Sequence, residues 1–238
     1  MQLKDGERVS LIGARQLAEE EAFFAGHGFP VLSAMLAKKV YNPLLNICFE
    51  SGAIYSNPYR LPHSVSDIIN YASAEFPLDL PDAFAMLERG DISTVGLSGA
   101  QVDNNGNINS TFINADGKIK RLPGSGGACD FASFGKKEYI FMLHESKRLV
   151  NRVDYITSPG LQTHPNKKII LITNYGLFDI SREGVNALAL MSDVDSEKVK
   201  SNACFDICVG GSVKILEEFS CGEIELLRKL DVYRISHR

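Results

Sequence analysis

The sequence predicts an α/β fold in which helices cover both faces of an open, mainly parallel sheet. Residues 22–49 follow the order strand, glycine-rich turn, helix and strand, which is the signature of a parallel βαβ unit. Residues 137–143 and 168–173 are compact apolar runs, typical of strands that are buried on both faces. Hydrophobic residues make up 45% of the 238-residue chain, which is enough for a substantial core and argues against disorder.

Each predicted element is marked by a local pattern. The turn at 26–30 ends in Pro30, which suits the first turn of a helix, and Asn42-Pro43 ends that helix. Turn residues at 103–107 separate two strands that are expected to pair with each other. The predicted helices cover residues 11–20, 30–40, 64–73, 82–88, 196–204, 213–219 and 224–230. The predicted strands cover residues 22–25, 44–49, 94–102, 108–113, 137–143, 168–173, 177–180 and 185–191.

Composition and charge argue against several classes of protein. The net charge is -4, from 25 basic and 29 acidic residues, and no long basic run is present, which argues against nucleic acid as a partner. No run approaches the length of a membrane span, and the first residues do not resemble a signal peptide, so no membrane is expected. No change in composition marks a linker, so residues 1–238 are predicted to form a single domain.

The cysteines predict neither disulfides nor a metal site. The five cysteines, at 48, 129, 204, 208 and 221, lack the spacing of a metal site, and a reducing cytoplasm fits this usage best. For Cys129, Cys204 and Cys208, packing in the core is the favoured interpretation.

Glu50 is the most informative residue of the chain. It ends an apolar run that is predicted to be a strand, and an unpaired carboxylate there is either solvated or held for a purpose, because burying a charge is costly. Gly52 lets the backbone turn sharply and lets a ligand come close. Ligands of open α/β sheets bind at the carboxyl ends of strands, which is where Glu50 is expected. A lone glutamate in a loop more often simply faces water.

A second segment, at residues 123–130, points to the same chemistry. Three glycines within four residues leave backbone N–H groups uncovered, and such groups can point together at an anion or a developing oxyanion. The segment is not a P-loop, because no Gly-Lys-Ser/Thr follows. It is not a convincing dinucleotide fingerprint either, because no helix pattern opens directly after it.

Several segments in order resemble the β subunit of glutaconate CoA-transferases, within the family I CoA-transferases. The segments are AKKVYNP at 37–43, FESG at 49–52, SGAQVD at 98–103 with GNINS at 106–110, GSGGA at 124–128, and HE at 144–145 with DYITSPG at 154–160. The resemblance covers roughly residues 10 to 180 and is more specific than any one motif. It implies the fold of the CoA-transferase and sugar-phosphate-isomerase superfamily.

The resemblance implies a catalytic role for Glu50. The catalytic glutamate of this family lies in a Glu-(Asn/Ser)-Gly motif, which here is Glu50-Ser51-Gly52. In such enzymes the carboxylate attacks an acyl-CoA thioester, and a glutamyl-CoA thioester then forms. The family's Gly-x-Gly-Gly-Ala segment lines the oxyanion hole and contacts CoA, which implies that role for Gly124, Gly126, Gly127 and Ala128.

Other residues are candidate neighbours of this site. These are Ser51, Gly52, Cys48 and Gly99. Cys48 lies two positions before Glu50 and would share its face in a strand, although a small buried hydrophobe is the commoner role. His27 and the cations Lys147, Arg148 and Arg152 are weaker candidates for phosphate contacts. A histidine in a turn is more often structural, and such cations more often lie on a solvated helix face.

The resemblance also implies a partner and a substrate. The family divides its site between two subunits, so an α-type subunit is the expected partner in a hetero-oligomer. Coenzyme A thioesters and carboxylic acids are the expected substrates, with no permanently bound cofactor. Two alternatives stay open: a CoA-thioester hydrolase, ring-opening lyase or decarboxylase in which Glu50 acts as a base, and a non-catalytic ligand-binding subunit. The presence of Glu50 favours transfer.

Overall fold

A large sheet with a parallel centre organises the fold. The computed structural model describes residues 2–115, 117–162, 166–211 and 213–237. Its helices are α1 (Asp5–Gln16), α2 (Phe29–Val40), α3 (Ile68–Ala72), α4 (Leu80–Arg89), α5 (Ala128–Phe134), α6 (Ser196–Ser201) and α7 (Cys221–Leu230), with 3-10 turns at Leu17–Glu19 and Ile235–His237. None of these helices is long and apolar enough to cross a bilayer.

The strands form one large sheet and two small ones. They are β1 (Ala22–Ala25), β2 (Asn46–Cys48), β3 (Ala53–Ser56), β4 (Ala74–Pro77), β5 (Thr94–Ser98), β6 (Gln101–Val102), β7 (Ile108–Asn109), β8 (Phe112–Ala115), β9 (Lys118–Arg121), β10 (Lys137–Phe141), β11 (Lys168–Thr173), β12 (Gly176–Ser181), β13 (Gly184–Leu190), β14 (Ile207–Cys208) and β15 (Lys214–Ile215). Strands β6 and β7 pair across the turn at 103–107, as predicted, and β8 pairs with β9.

The order of the large sheet is β14-β13-β12-β11-β10-β5-β1-β2-β3-β4, and β15 also pairs with β13. The central strands β2, β1, β5, β10 and β11 are parallel. Antiparallel strands flank them, with β3 and β4 on one side and β12 and β13 on the other. The predicted open, mainly parallel sheet is confirmed.

Helices cover both faces of this sheet. Neighbouring side chains of β1 point to opposite faces, so their contacts show which helices pack on each face. Phe24 contacts Phe131 of α5, with ring centroids 5.1 Å apart. Phe23 lies on the opposite face, beside the start of α2: a Cβ at Gly96 would be 2.2 Å from its ring and 3.1 Å from Pro30. Helices α1, α2 and α7 contact one another on that face, and α4 contacts α5 on the other.

Ion pairs stabilise the amino-terminal ends of the parallel strands. Lys137 forms an ion pair with Glu20. Glu138 and Lys167 form a second ion pair, and both side chains are 0% exposed. The ammonium of Lys167 also donates to the carbonyl of Ala132 in α5, so this pair fastens α5 to the sheet. Burial raises the pKa of Glu138, and the charge of Lys167 opposes that rise.

Several local predictions are wrong. The helix predicted at 213–219 does not form, and this segment contains β15 instead. Helix α5 opens directly after the glycine segment, where no helix is predicted. Strands β3, β4, β9 and β14 are absent from the predicted set, although the Asp-Gly pair at 116–117 is a strong hairpin signal. The strand predicted at 108–113 forms two short strands, β7 and the first half of β8. Cys129, Cys204 and Cys208 are exposed rather than packed in the core.

Candidate active site

A cleft opens where the chain reverses its direction across the sheet. From β1 the chain adds β2, β3 and β4 on one side, then returns to place β5 on the other side of β1. The loops after β1 and β5 therefore diverge, and such a switch point forms the ligand crevice of open α/β sheets. The cleft has a volume of about 430 Å³. Its wall is formed by residues 26–27, 97–100 and 122–125 together with Glu50, Val65, Ser110, Ala128, Phe131 and Arg148.

Glu50 lies in a tight turn at the carboxyl end of β2. The N–H of Gly52 donates to the carbonyl of Phe49 (N···O 3.0 Å), and the φ of Gly52 is +103°, which favours glycine. The turn carries the half-buried Glu50 side chain into the wall of the cleft. Its Oε2 accepts a hydrogen bond from the backbone N–H of Gly127 (2.9 Å). No donor among the described residues contacts Oε1, which leaves that oxygen available to a ligand.

The charge of Glu50 is not offset by a cation. None of the ion pairs among the described residues includes it. Burial raises the pKa of the Glu50 carboxyl, the N–H of Gly127 lowers it, and the nearby charge of Asp130 raises it, so that the pKa lies above its ordinary value. A more basic carboxylate is a better nucleophile as long as it stays ionised.

Two residues of the glycine segment 124–128 use their N–H groups within the loop itself. The N–H of Gly124 donates to the carbonyl of Ser110 (2.8 Å), and that of Ala128 donates to the carbonyl of Ser125 (3.0 Å). Gly124 and Ala128 thus shape the wall of the cleft, and their N–H groups are not directed at a ligand.

Gly126 and Gly127 are the members of the segment that lie against Glu50. A Cβ at Gly127 would be 2.3 Å from Oε2 of Glu50 and 2.4 Å from the ring of Phe84. Only a glycine therefore lets the loop come this close to the carboxylate. No described residue accepts a hydrogen bond from the N–H of Gly126, so this donor is left for a ligand oxygen.

Of the predicted neighbours of Glu50, Gly99 and Ser51 lie in the surrounding loops. Gly99 lines the cleft. The Oγ of Ser51 donates to the carbonyl of Val65 (2.8 Å), which holds the turn against the loop before α3. Gly99 is thus placed to contact a ligand, whereas Ser51 supports the turn that carries Glu50.

The other two predicted neighbours, Gly52 and Cys48, have structural roles. A Cβ at Gly52 would be 2.1 Å from the carbonyl oxygen of Leu78, so the close approach there is between two segments of this chain. Cys48 is fully buried, and burial raises the pKa of its thiol to about 12, which keeps it protonated. No group of three or more His, Cys, Asp or Glu side chains in the described ranges is arranged to hold a metal ion.

Arg148 and His27 belong to the wall of the cleft and to that of an adjoining cavity of about 150 Å³. The Nε of Arg148 donates to Glu145 (2.8 Å), and 30% of the arginine side chain stays exposed. The N–H of Val102 donates to the carbonyl of Arg148 (2.8 Å), and this contact brings the loop after β10 to the cleft. Arg148 is therefore not simply part of a solvated face. The sequence gives no signal for this placement, because it depends on pairing between distant segments.

Comparison with known proteins agrees with the geometry. Residues 10–192 match the family model described as coenzyme A transferase, and most of the wall of the cleft lies in this span. The chain belongs to the coenzyme A transferase family.

Over 235 residues it is 30% identical to the B subunit of glutaconate CoA-transferase from Acidaminococcus fermentans, an alignment that covers 91% of this chain and 88% of the relative. Over 156 residues it is 35% identical to the B subunit of 3-oxoadipate CoA-transferase from Pseudomonas knackmussii, which covers 65% of this chain and 60% of that one. The predicted resemblance to B-type subunits of CoA-transferases is confirmed.

Solved structures show the same fold. The crystal structure of glutaconate coenzyme A-transferase from Acidaminococcus fermentans superposes with a TM-score of 0.82 at 27% identity, covering 94% of this chain and 93% of that one. The decarboxylase AibA/AibB superposes with a TM-score of 0.82 at 20% identity, covering 99% and 98% of the two chains. The second likeness is one of fold alone, and it shows that this architecture also occurs in a decarboxylase.

Proposed function

We propose that this chain is the B-type subunit of a family I CoA-transferase, in which Glu50 moves CoA between two carboxylic acids. One observation carries the proposal. Glu50 is a half-buried carboxylate that forms no ion pair with any described residue, held through Oε2 by the N–H of Gly127 (2.9 Å). Oε1 is then free to attack. A carboxylate that served only the fold would be expected to have a cation or further donors around it.

The chemistry follows from a carboxylate nucleophile. Oε1 of Glu50 attacks the thioester carbonyl carbon of an acyl-CoA, the C–S bond breaks, and an acyl-glutamyl anhydride and a CoA thiolate result. The thiolate attacks the glutamyl carbonyl of the anhydride, which releases the first carboxylate and leaves a Glu50–CoA thioester. A second carboxylate repeats these steps in reverse order and departs as its CoA thioester. Covalent catalysis thus divides one difficult exchange into easier steps.

Two further groups of the cleft suit this chemistry. The N–H of Gly126 can donate to the oxyanion that forms on the thioester carbonyl, because no described residue occupies it. Arg148 lines the same cleft and can attract the acceptor carboxylate, with which guanidinium groups form strong paired hydrogen bonds. CoA takes part as a substrate and is not held permanently.

An A-type subunit is part of the proposal. Both curated relatives are named as the B subunits of CoA-transferases. The wall of the cleft contains Glu50 and Arg148 but leaves the cleft open. We infer that the partner closes it and contributes to the pocket for the acyl group.

Trapping of the covalent intermediate tests the proposal. The chain is co-expressed with its A-type partner and incubated with a panel of acyl-CoAs, and borohydride is then added. The modified peptide is mapped by mass spectrometry. Reduction of Glu50 to the corresponding alcohol is expected, because a thioester is reduced where a free carboxylate is not.

The Glu50→Gln variant is the control, and it must give no reduced peptide. Consumption of acyl-CoA without any modification of Glu50 would contradict covalent transfer. It would favour hydrolysis or decarboxylation, with Glu50 acting as a base.

A further inference from the structure

A basic hairpin stands at the rim of the cleft. Strands β8 and β9 pair with each other and with no other described strand. Both ends of the hairpin run directly into the wall of the cleft, at Ser110 and Leu122. The N–H of Leu122 donates to the carbonyl of Thr111 (2.9 Å), and the N–H of Gly124 donates to the carbonyl of Ser110 (2.8 Å). The hairpin is thus a direct extension of the loop that contacts Glu50.

The strand β9 offers its side chains to solvent. All four of its residues are exposed, and Ile119 is 72% exposed. Among the described residues, β8 is the strand tied to the rest of the fold, through a hydrogen bond from the N–H of Asn114 to Asp154 (2.9 Å) and through contact between the rings of Phe112 and Tyr155. One side of the hairpin is therefore anchored, and the other is available for binding.

Three of the four residues of β9 are cations, in a chain with a net charge of -4. They are Lys118, Lys120 and Arg121. None of them takes part in an ion pair among the described residues. The residues of β8 that pair with β9 are Phe112, Ile113, Asn114 and Ala115, which carry no charge. Among the described residues of the hairpin, no acidic side chain offsets these three positive charges, which favours an anionic ligand.

We propose that Lys118 and Lys120, which lie on the same face of β9, bind the phosphates of the nucleotide end of CoA while the thioester lies against Glu50. This inference rests on the proposed function. The cleft has a volume of about 430 Å³ and is open to solvent on one side. When the acyl-thioester end of an acyl-CoA reaches Glu50, the pantetheine arm can leave through this opening and place the nucleotide at the rim of the cleft. Residues 122–125 form the wall of the cleft next to β9. Lysine and arginine are the usual partners of phosphate groups.

Binding measurements separate this surface from the chemistry. The complex with the A-type subunit is prepared with Glu50→Gln, so that no covalent step occurs, and titrated with CoA and with pantetheine, which lacks the phosphates. CoA is expected to bind more tightly than pantetheine. Replacement of Lys118 and Lys120 by Gln should weaken CoA binding about tenfold, because exposed charge pairs are individually weak but two act together. The Kd for pantetheine should not change.

The control variant replaces Lys200 and Lys229 by Gln, which removes the same number of positive charges at positions outside the wall of the cleft. It should leave both Kd values unchanged. A second measurement needs no variant: the preference of the complex for CoA over pantetheine should decrease as salt is added, because exposed charges are screened.

The outcomes distinguish this inference from the proposed function. Equal binding of CoA and pantetheine, or equal losses for both ligands in the hairpin variant, would overturn the phosphate site even if Glu50 is confirmed as the nucleophile. Conversely, a selective loss of CoA affinity in the hairpin variant, together with no reduced Glu50 peptide in the trapping experiment on the unmodified complex, would support the site and contradict covalent transfer.

Discussion

Carboxylates at the two ends of the parallel strands have different charge partners. At the amino-terminal end, Glu138 is 0% exposed and paired with Lys167, and Glu20 is paired with Lys137. At the carboxyl end, Glu50 is half-buried and has one backbone N–H but no cation. Burial raises the pKa of both Glu50 and Glu138, yet only Glu138 has its charge neutralised by a neighbour. A paired carboxylate fastens helices to the sheet, whereas an unpaired one at a cleft keeps its reactivity.

The largest expected effect concerns Glu50. Glu50→Gln should lower kcat at least about a thousandfold, because an amide cannot form the covalent intermediate. The melting temperature should not decrease, because an ionised carboxylate with a raised pKa destabilises the folded state at neutral pH. Glu88→Gln, at an exposed position in α4, is the matched control and should keep full activity. Near-normal turnover of the Glu50→Gln variant would remove Glu50 from the mechanism.

Disruption of the ion pair at the opposite end of the sheet should lower the free energy of unfolding. Lys167→Met leaves Glu138 buried without its partner and should lower the free energy of unfolding by about 3–5 kcal/mol, measured by denaturant titration. Adding Glu138→Leu should restore much of that loss, because a buried ion pair and an apolar pair of similar size differ little in stability. A single variant that loses less than about 1 kcal/mol would show that this pair does not fasten α5.

Gly127 is related to both ends of the sheet. It contacts Glu50 and directly precedes α5, the helix that Lys167 contacts at the opposite end. Gly127→Ala places a methyl group where Oε2 of Glu50 and the ring of Phe84 now lie, at 2.3 and 2.4 Å. The displaced carboxylate should lower kcat roughly tenfold to a hundredfold, since small errors of position are costly in catalysis. Gly222→Ala is the matched control: its nearest neighbour would be 4.0 Å away, and turnover should not change. Full activity of the Gly127→Ala variant would mean that the contact between this loop and Glu50 is not needed.

The contrast between the ends also explains what the sequence could predict. Strands β1 and β11 have the predicted bounds, because buried parallel strands are apolar throughout. The position of Glu50 could be predicted because the glycine-containing turn and the end of the strand lie next to it in the chain. Arg148 could not be singled out from Lys147 and Arg152, because the loop after β10 reaches the cleft through pairing with β6, a distant segment. The helix predicted at 213–219 is wrong because a short apolar pattern fits strand and helix alike.

The smallest expected effect is a shift in pH dependence. The nucleophile must be ionised, so kcat/KM should fall as the pH decreases through the pKa of Glu50, at a higher pH than for an ordinary glutamate because that pKa is raised. Asp130→Asn removes a negative charge that raises the Glu50 pKa. The acid limb of the profile should therefore move to lower pH, and the shift should be modest because solvent and salt screen the charge. Asp82→Asn, at an exposed position in α4, should leave the limb in place. A shift to higher pH in the Asp130→Asn variant would have the wrong sign for a carboxylate nucleophile, and would mean that the group titrating in this limb is not Glu50.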